Sequence, residues 1–399
     1  MNPALARLQP YPFERLEQLK AGITPPADRP HIALSIGEPK HPTPRRITEV
    51  LLEHLHTASS YPTTAGLPAL REAICGWLCR RYSLDADSLD PDRNVLPVSG
   101  TREALFAAAQ FLLDPAQDPL VVLPNPCYQI YEGATLLAGG RPHYLACLPA
   151  TGQQPDFDSV PAKVWRHCAL IYVCSPDNPT GGVLSQEQFI RLLELAEAHD
   201  FVIASDECYS EIYPEEGDPP AGLLQAAAAA GNDAYRRCLV FHSLSKRSNA
   251  PGLRSGFVAG DAELIGAFRR YRTYHGCTMP LYTQHASIAA WIDERHVVEN
   301  RALYREKFDA VLGVLEGVLE VERPGGGFYL WPRTPVDDAE FARRLYASEN
   351  VTVLPGSFMG REAQGGNPGA GHVRMALVAP LEECVEAALR IRRFVEGLG

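Results

Sequence analysis

Short apolar runs, each closed by a polar or glycine-containing phrase, recur along the chain at 95–99, 119–123, 168–174, 201–205, 238–242 and 255–259. Several of them are unbroken rather than alternating, which is how strands buried on both faces read. Between and before them, apolar residues recur at helical spacing over 45–55, 67–81, 102–113, 131–137, 186–199 and 264–271. This alternation predicts an α/β fold with a mostly parallel central sheet wrapped by helices. From about Pro280 the pattern changes to long helices, 281–292 and 293–317. Strand-like 327–330 and 374–377 follow, then a closing helix, 381–397, which together predict a separate, smaller α+β unit. The alanine-rich stretch Leu223 to Ala230 reads as a surface helix. Ligands of such sheets sit beyond the carboxyl ends of the strands, so the phrases that close the runs carry the chemistry.

Three of those phrases form a set. The run 238–242 leads into Ser243-Leu-Ser-Lys246, 201–205 into Asp206-Glu-Cys-Tyr209, and 168–174 into Asn178-Pro-Thr-Gly181. A lysine at the end of a buried strand is partly shielded from water, which makes a neutral, nucleophilic amine accessible. Schiff-base chemistry with an aldehyde needs such an amine. A buried carboxylate, Asp206, suits a pyridine nitrogen that must stay protonated, and the Tyr209 hydroxyl and Asn178 amide suit a phenolic oxygen that must stay anionic. Singly, each residue has a plainer reading: a solvated lysine, a helix-capping Asp206, a packed Tyr209, a turn at Asn178-Pro179. As an ordered set they point to pyridoxal phosphate, with Lys246 as covalent anchor and proton shuttle.

A phosphate cradle is legible as well. The strand 95–99 passes through Gly100 and Thr101 into the helix-forming run from Arg102. Glycine permits close backbone approach, and the free amides at the start of the following helix favour an anion. Ser243 and Ser245 flank Lys246 as hydroxyl donors, and Arg254 offers a permanent cation. An ordinary capped turn and a surface arginine are the plain alternatives.

Together, Ser-Gly-Thr (99–101), Asn-Pro-Thr-Gly (178–181), Asp-Glu-x-Tyr (206–209), Ser-Leu-Ser-Lys (243–246), the Arg254 loop and Val373-Arg374-Met-Ala-Leu resemble the fold-type-I pyridoxal-phosphate enzymes. They are most similar to the class I/II aminotransferases, from about residue 30 onward. Ser35-Ile-Gly-Glu-Pro39, Pro124 to Glu132, Gly325 to Trp331 and Leu354 to Phe358 are similar to the proteobacterial succinyldiaminopimelate aminotransferases of lysine and cell-wall biosynthesis. The resemblance implies a large cofactor-binding domain over 46–293, and a small domain made of 1–45 and 294–399. It implies that Tyr128 stacks on the pyridine, and that Arg374 and the Gly37 amide, with Asn178, meet the substrate carboxylate. It further implies a homodimer in which Tyr61 reaches the phosphate held by the neighbouring subunit. Cys127 departs from the pattern beside the stacking residue.

Composition adds limits. The net charge of −11 gives no support to nucleic-acid or anionic-membrane binding. The ten cysteines lack metal-site spacing, Cys75 and Cys79 being the closest pair, so a reduced, cytoplasmic setting and no metal are expected. No leader segment or bilayer-length apolar stretch is visible. Three readings stay open. The first is transamination of a succinylated diaminopimelate with 2-oxoglutarate. The second is another reaction on the same cofactor, by an aspartate, aromatic or alanine aminotransferase or a lyase. The third is a non-enzymatic regulator, for which no DNA-binding module is seen. Arg374 weighs against decarboxylation, because a clamped carboxylate does not leave. Arg272, His275 and Lys40 are candidates by residue type for a distal carboxylate.

Overall fold

The computed structural model describes residues 1–276, 278–363 and 365–398. Its central sheet holds β1 (Val95–Val98), β2 (Leu120–Asn125), β3 (Arg141–Leu148), β4 (Gln154–Pro155), β5 (Cys168–Cys174), β6 (Val202–Asp206), β7 (Cys238–Ser243) and β8 (Gly256–Gly260). In space they run β1-β8-β7-β6-β5-β2-β3-β4. The pairs β2/β3, β2/β5, β5/β6 and β6/β7 are parallel. β8 runs antiparallel to both β7 and β1, and β4 runs antiparallel to β3. The expected α/β architecture with a mostly parallel sheet is therefore present. Pro97 sits in β1, an edge strand, where its missing N–H breaks no ladder.

The helices follow the periodicity closely. Gln186–His199 and Leu281–Ile292 match the sequence pattern residue for residue. The first begins there because Ser185 Oγ accepts from the Gln188 amide at 3.2 Å while Gln188 Oε1 accepts from the Ser185 amide at 2.8 Å. It ends at Asp200, whose left-handed φ of 59° turns the chain toward β6. One expectation is corrected. The helix Leu223–Ala229 is not a surface element, since Leu223, Leu224, Ala226 and Ala227 are all buried in the core. Small alanine side chains let its backbone lie close against its neighbours. Among the elements that escaped the pattern, two are instructive. β3 opens on Arg141-Pro-His and is only partly buried near the sheet edge, and the helix Asp338–Glu349 starts on an acidic turn.

Apolar clusters fill both faces of the sheet. One contains Trp77, Phe189, Ile203, Phe257 and Trp291, and the other contains Leu105, Tyr131, Tyr172 and Phe268. A third cluster, with Phe308, Phe341, Leu345, Met375 and Ile391, lies among the helices Arg295–Leu315, Asp338–Glu349 and Leu381–Glu396. There Val373–Ala376 pairs antiparallel with both Tyr329–Leu330 and Leu354–Pro355. The N-terminal segment joins this unit, as Ile32–Ala33 pairs in parallel with Val351–Thr352. Among the described residues no helix is long and apolar enough to cross a membrane.

The fully buried Phe257 ring lies 5.0 Å from Trp291 and 6.0 Å from Trp77 between centroids. Phe257→Ala should destabilise the fold by about 3–5 kcal/mol, read as a lower denaturant midpoint in chemical unfolding.

Candidate active site

Parallel pairing sends the carboxyl ends of β2, β5, β6 and β7 to one sheet edge, and a cleft of about 410 Å³ opens there. Lys246 lines it from the one-turn helix Leu244–Arg247, which directly follows β7. Its Nζ donates to the Gly37 carbonyl at 2.6 Å. Burial, reinforced by Arg374 and Arg254, lowers the Lys246 pKa to about 8 despite the opposing pull of Cys208 and Glu38. A neutral amine is therefore accessible near neutral pH.

Asp206 ends β6 in the same cleft. Its Oδ2 accepts from the Tyr131 hydroxyl at 2.7 Å and its Oδ1 from the Cys208 amide at 3.2 Å. Burial pushes this carboxyl up, so a cationic N–H placed against either oxygen's remaining lone pair would be favoured. Tyr209 is buried and its hydroxyl stands 3.0 Å from that of Tyr329. Asn178 Oδ1 accepts from Arg374 Nη1 at 2.7 Å, which fixes the amide and leaves its NH₂ as a donor for the cleft. Donors for a phenolic oxygen and an acceptor for a pyridinium are thus both supplied. Tyr128 caps the helix Gln129–Leu137 and lines the cleft, its ring edge-on to Tyr131 at 5.7 Å.

The residues expected at a phosphate lie together along one part of the cleft. Gly100 caps the helix Thr101–Leu112 with a φ of 94°. A Cβ at this position would stand 2.1 Å from Arg254 Nη2, so only glycine lets the guanidinium approach. Thr101, Arg102, Ser243, Ser245 and Arg254 all line the cleft. Ser243 Oγ lies 2.9 Å from Ser245 Oγ and caps the short helix through the Ser245 amide at 3.0 Å. Arg254 pairs with Glu103 at 2.8 Å, so a phosphate would share that cation with a carboxylate. Arg102 bonds the Tyr128 hydroxyl at 2.6 Å and lies 3.5 Å from the Tyr11 hydroxyl. The residues present therefore fit pyridoxal phosphate at every polar corner.

The N-terminal segment closes the opposite wall. The Ser35 carbonyl accepts from Arg374 Nη2 at 2.7 Å, beside the Gly37–Lys246 contact. Arg374 is buried yet lines the cleft, which sets a permanent cation where a carboxylate could meet it.

Tyr61 is fully exposed and does not line this cleft. Arg272, His275 and Lys40 also stay outside it. Arg272 is buried with its guanidinium 5.8 Å from the Phe268 ring centroid, His275 stacks on Tyr271, and Lys40 pairs with Glu38. Cys127 is buried in the apolar cluster beside β2 and is a packing residue. Sequence reading missed Tyr131 and Tyr329. Tyr131 lies three positions after Tyr128 and so projects from nearly the same side of its helix, a spacing that could have flagged it. Tyr329 lay within a quoted motif but carried no assigned role.

A family model for aminotransferase class I and II matches residues 29–391. The chain belongs to this family. As in that family, it is a pyridoxal-phosphate aminotransferase. It is similar to an aminotransferase from Neisseria meningitidis, with 50% identity, a TM-score of 0.94, and coverage of 99% of this chain and 100% of that one. It is 33% identical to the LL-diaminopimelate aminotransferase of Desulforudis audaxviator over 97% of this chain and 96% of the relative. A probable N-succinyldiaminopimelate aminotransferase from Thermus thermophilus is 29% identical with a TM-score of 0.83, over 96% of this chain and 99% of that one.

In cofactor-free aminotransferase, an amine-selective reagent should modify Lys246 with a half-maximal rate near pH 8. An ordinary lysine titrates near about 10.4, so mass-spectrometric labelling across pH separates Lys246 from the surface lysines.

Proposed function

We propose that this aminotransferase exchanges an amino group between N-succinyl-LL-2,6-diaminopimelate and 2-oxoglutarate. The observation that carries the reading is Arg374, held by Asn178 and Ser35 and lining the same cleft as the Lys246 amine. The arginine orients a substrate α-carboxylate and retains it, which favours amino transfer over decarboxylation. When bound, pyridoxal phosphate supplies the electron sink. Lys246 carries the proton to and from the substrate α-carbon. Asp206 holds the proton at the pyridine nitrogen, with Tyr131 orienting the carboxylate. Tyr209 and Asn178 donate to the phenolic oxygen, and Tyr128 covers one ring face. Gly100, Thr101, Arg102, Ser243, Ser245 and Arg254 receive the phosphate. In this reading residues 46–293 form the cofactor domain, and 1–45 with 294–399 form the small one. The separate apolar clusters and the N-terminal strand pairing support that division.

The succinylated substrate is supported by the resemblance of the Ser35–Pro39, Pro124–Glu132, Gly325–Trp331 and Leu354–Phe358 phrases to succinyldiaminopimelate aminotransferases. The apolar side chains Phe13, Ile36, Leu354 and Met359 line the same cleft. The name of the Desulforudis relative favours a second reading, free LL-diaminopimelate. Stopped-flow half-reactions with glutamate, N-succinyl-LL-diaminopimelate, LL-diaminopimelate, aspartate, alanine and tyrosine decide between them. The succinylated compound and glutamate should convert the cofactor absorbance fastest, and faster turnover of LL-diaminopimelate would select the second reading. Borohydride should fix the cofactor to Lys246, and Lys246→Ala should retain the cofactor non-covalently with no transamination.

The homodimer is proposed with Tyr61 donating to the partner's cofactor phosphate, supported by its full exposure and its distance from its own cleft. In a two-fold dimer the shared patch builds two equivalent sites. Mixing Tyr61→Phe with Lys246→Ala subunits under exchange should then restore activity, since one site of each heterodimer carries neither lesion. A fully active monomer in sedimentation and kinetic assays would refute the shared site.

A further inference from the structure

Tyr329 stands where three parts of the site meet. Its hydroxyl lies 3.0 Å from the Tyr209 hydroxyl, and its ring lies under the Arg374 guanidinium, 4.5 Å from Cζ to the ring centroid. A Cβ on residue 37 would stand 2.0 Å from the Tyr329 oxygen, so that hydroxyl fits only because Gly37 has no side chain. Gly37 in turn accepts from Lys246. Tyr329 itself is held by the strand Tyr329–Leu330 and by an edge contact with Phe328. Among the described residues, Tyr209 Oη is the only hydrogen-bond partner of the Tyr329 hydroxyl. Burial keeps both phenols protonated.

Two neutral hydroxyls in contact share one hydrogen bond and leave one proton over. Which oxygen donates is undetermined for the isolated pair. An anionic oxygen placed against Tyr209 removes the ambiguity, because Tyr209 must aim its proton at the anion and Tyr329 then donates to Tyr209. Serial donation of this kind polarises each bond in the chain and strengthens the last one. We propose that Tyr329 is a positioning residue. It donates to Tyr209 and commits the Tyr209 proton to the phenolic oxygen of bound pyridoxal phosphate. This rests on the proposed role of Tyr209 and extends it by one residue. The same ring braces Arg374, so one side chain sets both the donor at the phenolic oxygen and the carboxylate clamp.

The test uses the holoenzyme and reads the pH midpoint of the bound cofactor's visible absorbance, which reports the proton on the nitrogen linked to Lys246. A donor at the phenolic oxygen withdraws negative charge that would otherwise hold that proton, so weakening the donor raises the midpoint. Tyr209→Phe should raise it by about one pH unit or more, as expected for losing a bond to a charged acceptor. Tyr329→Phe should raise it by roughly 0.2–0.5 unit, the share set by cooperative polarisation. It should lower kcat while leaving KM for the amino acid near the wild-type value, because the ring over Arg374 remains. Tyr329→Leu should raise KM as well. Gly37→Ala, which displaces the hydroxyl, should reproduce the spectral shift of Tyr329→Phe. Adding Tyr329→Phe to Tyr209→Phe should shift the midpoint no further. An unchanged midpoint in Tyr329→Phe, or an equal shift in the Tyr209→Phe background, overturns the inference while leaving the role of Tyr209 intact. An unchanged midpoint in Tyr209→Phe overturns both.

Discussion

Parallel strand pairing is the constraint on which the cleft depends. Because β2, β5, β6 and β7 run in one direction, the turns that leave them emerge from the same sheet edge. Residues far apart in the chain, Asn178, Asp206 and Lys246, are thereby gathered without any long-range device of their own. The antiparallel β8 leaves the edge free for the Arg254 loop, which enters β8 from that side and reaches the Gly100 cap. The rigid ladder fixes three polar groups, and the small unit supplies the fourth, Arg374, on the strand Val373–Ala376.

Such a site is electrostatically costly to keep. Arg374 is a buried cation near the partly buried Lys246, and Asp206 is a buried carboxylate without a formal cationic partner among its hydrogen bonds. The lowered Lys246 pKa means that protonating it costs the native state free energy. That cost is fully present below about pH 8 and is relieved as pH rises toward the ordinary lysine value. The fold tolerates it because apolar clusters on both faces of the sheet supply stability away from the site. Local rules are broken where chemistry is done and kept elsewhere.

Much of this was legible in the sequence because the relevant signals are local. A buried parallel strand reads as an unbroken apolar run, and the group that closes it inherits a known location. Lys246, Asp206 and Asn178 are placed on that basis, Thr101 by the glycine-to-helix turn and Arg254 by its neighbours, and all line the cleft. Long-range contacts were less legible. Tyr131 acts on Asp206 across 75 positions and Tyr329 on Tyr209 across 120, so the partner that gives each its role is remote in sequence. β3 was missed because it lies next to a two-residue edge strand and its first half is only partly buried, and the helix Leu223–Ala229 was misplaced because alanine is equally at home inside and outside.

The pairing of the N-terminal segment with the far end of the chain has a consequence for how the protein is made. His31 and Thr352 lie 321 positions apart yet bond at 2.8 Å, and Leu34 donates to the Thr352 carbonyl. Closing a loop of that length costs about 5 kcal/mol in chain entropy, which many other contacts must first offset. During synthesis the strand at Ile32–Ala33 has no ladder partner until Val351–Thr352 has emerged, although Tyr11 and Gly37 meet Arg102 and Lys246 much earlier in the chain. Ser35 and Gly37 belong to that segment, so the wall that receives Lys246 and Arg374 depends on a pairing that spans most of the chain. The cleft is therefore closed by contacts that tie the N-terminal segment to residues beyond 350.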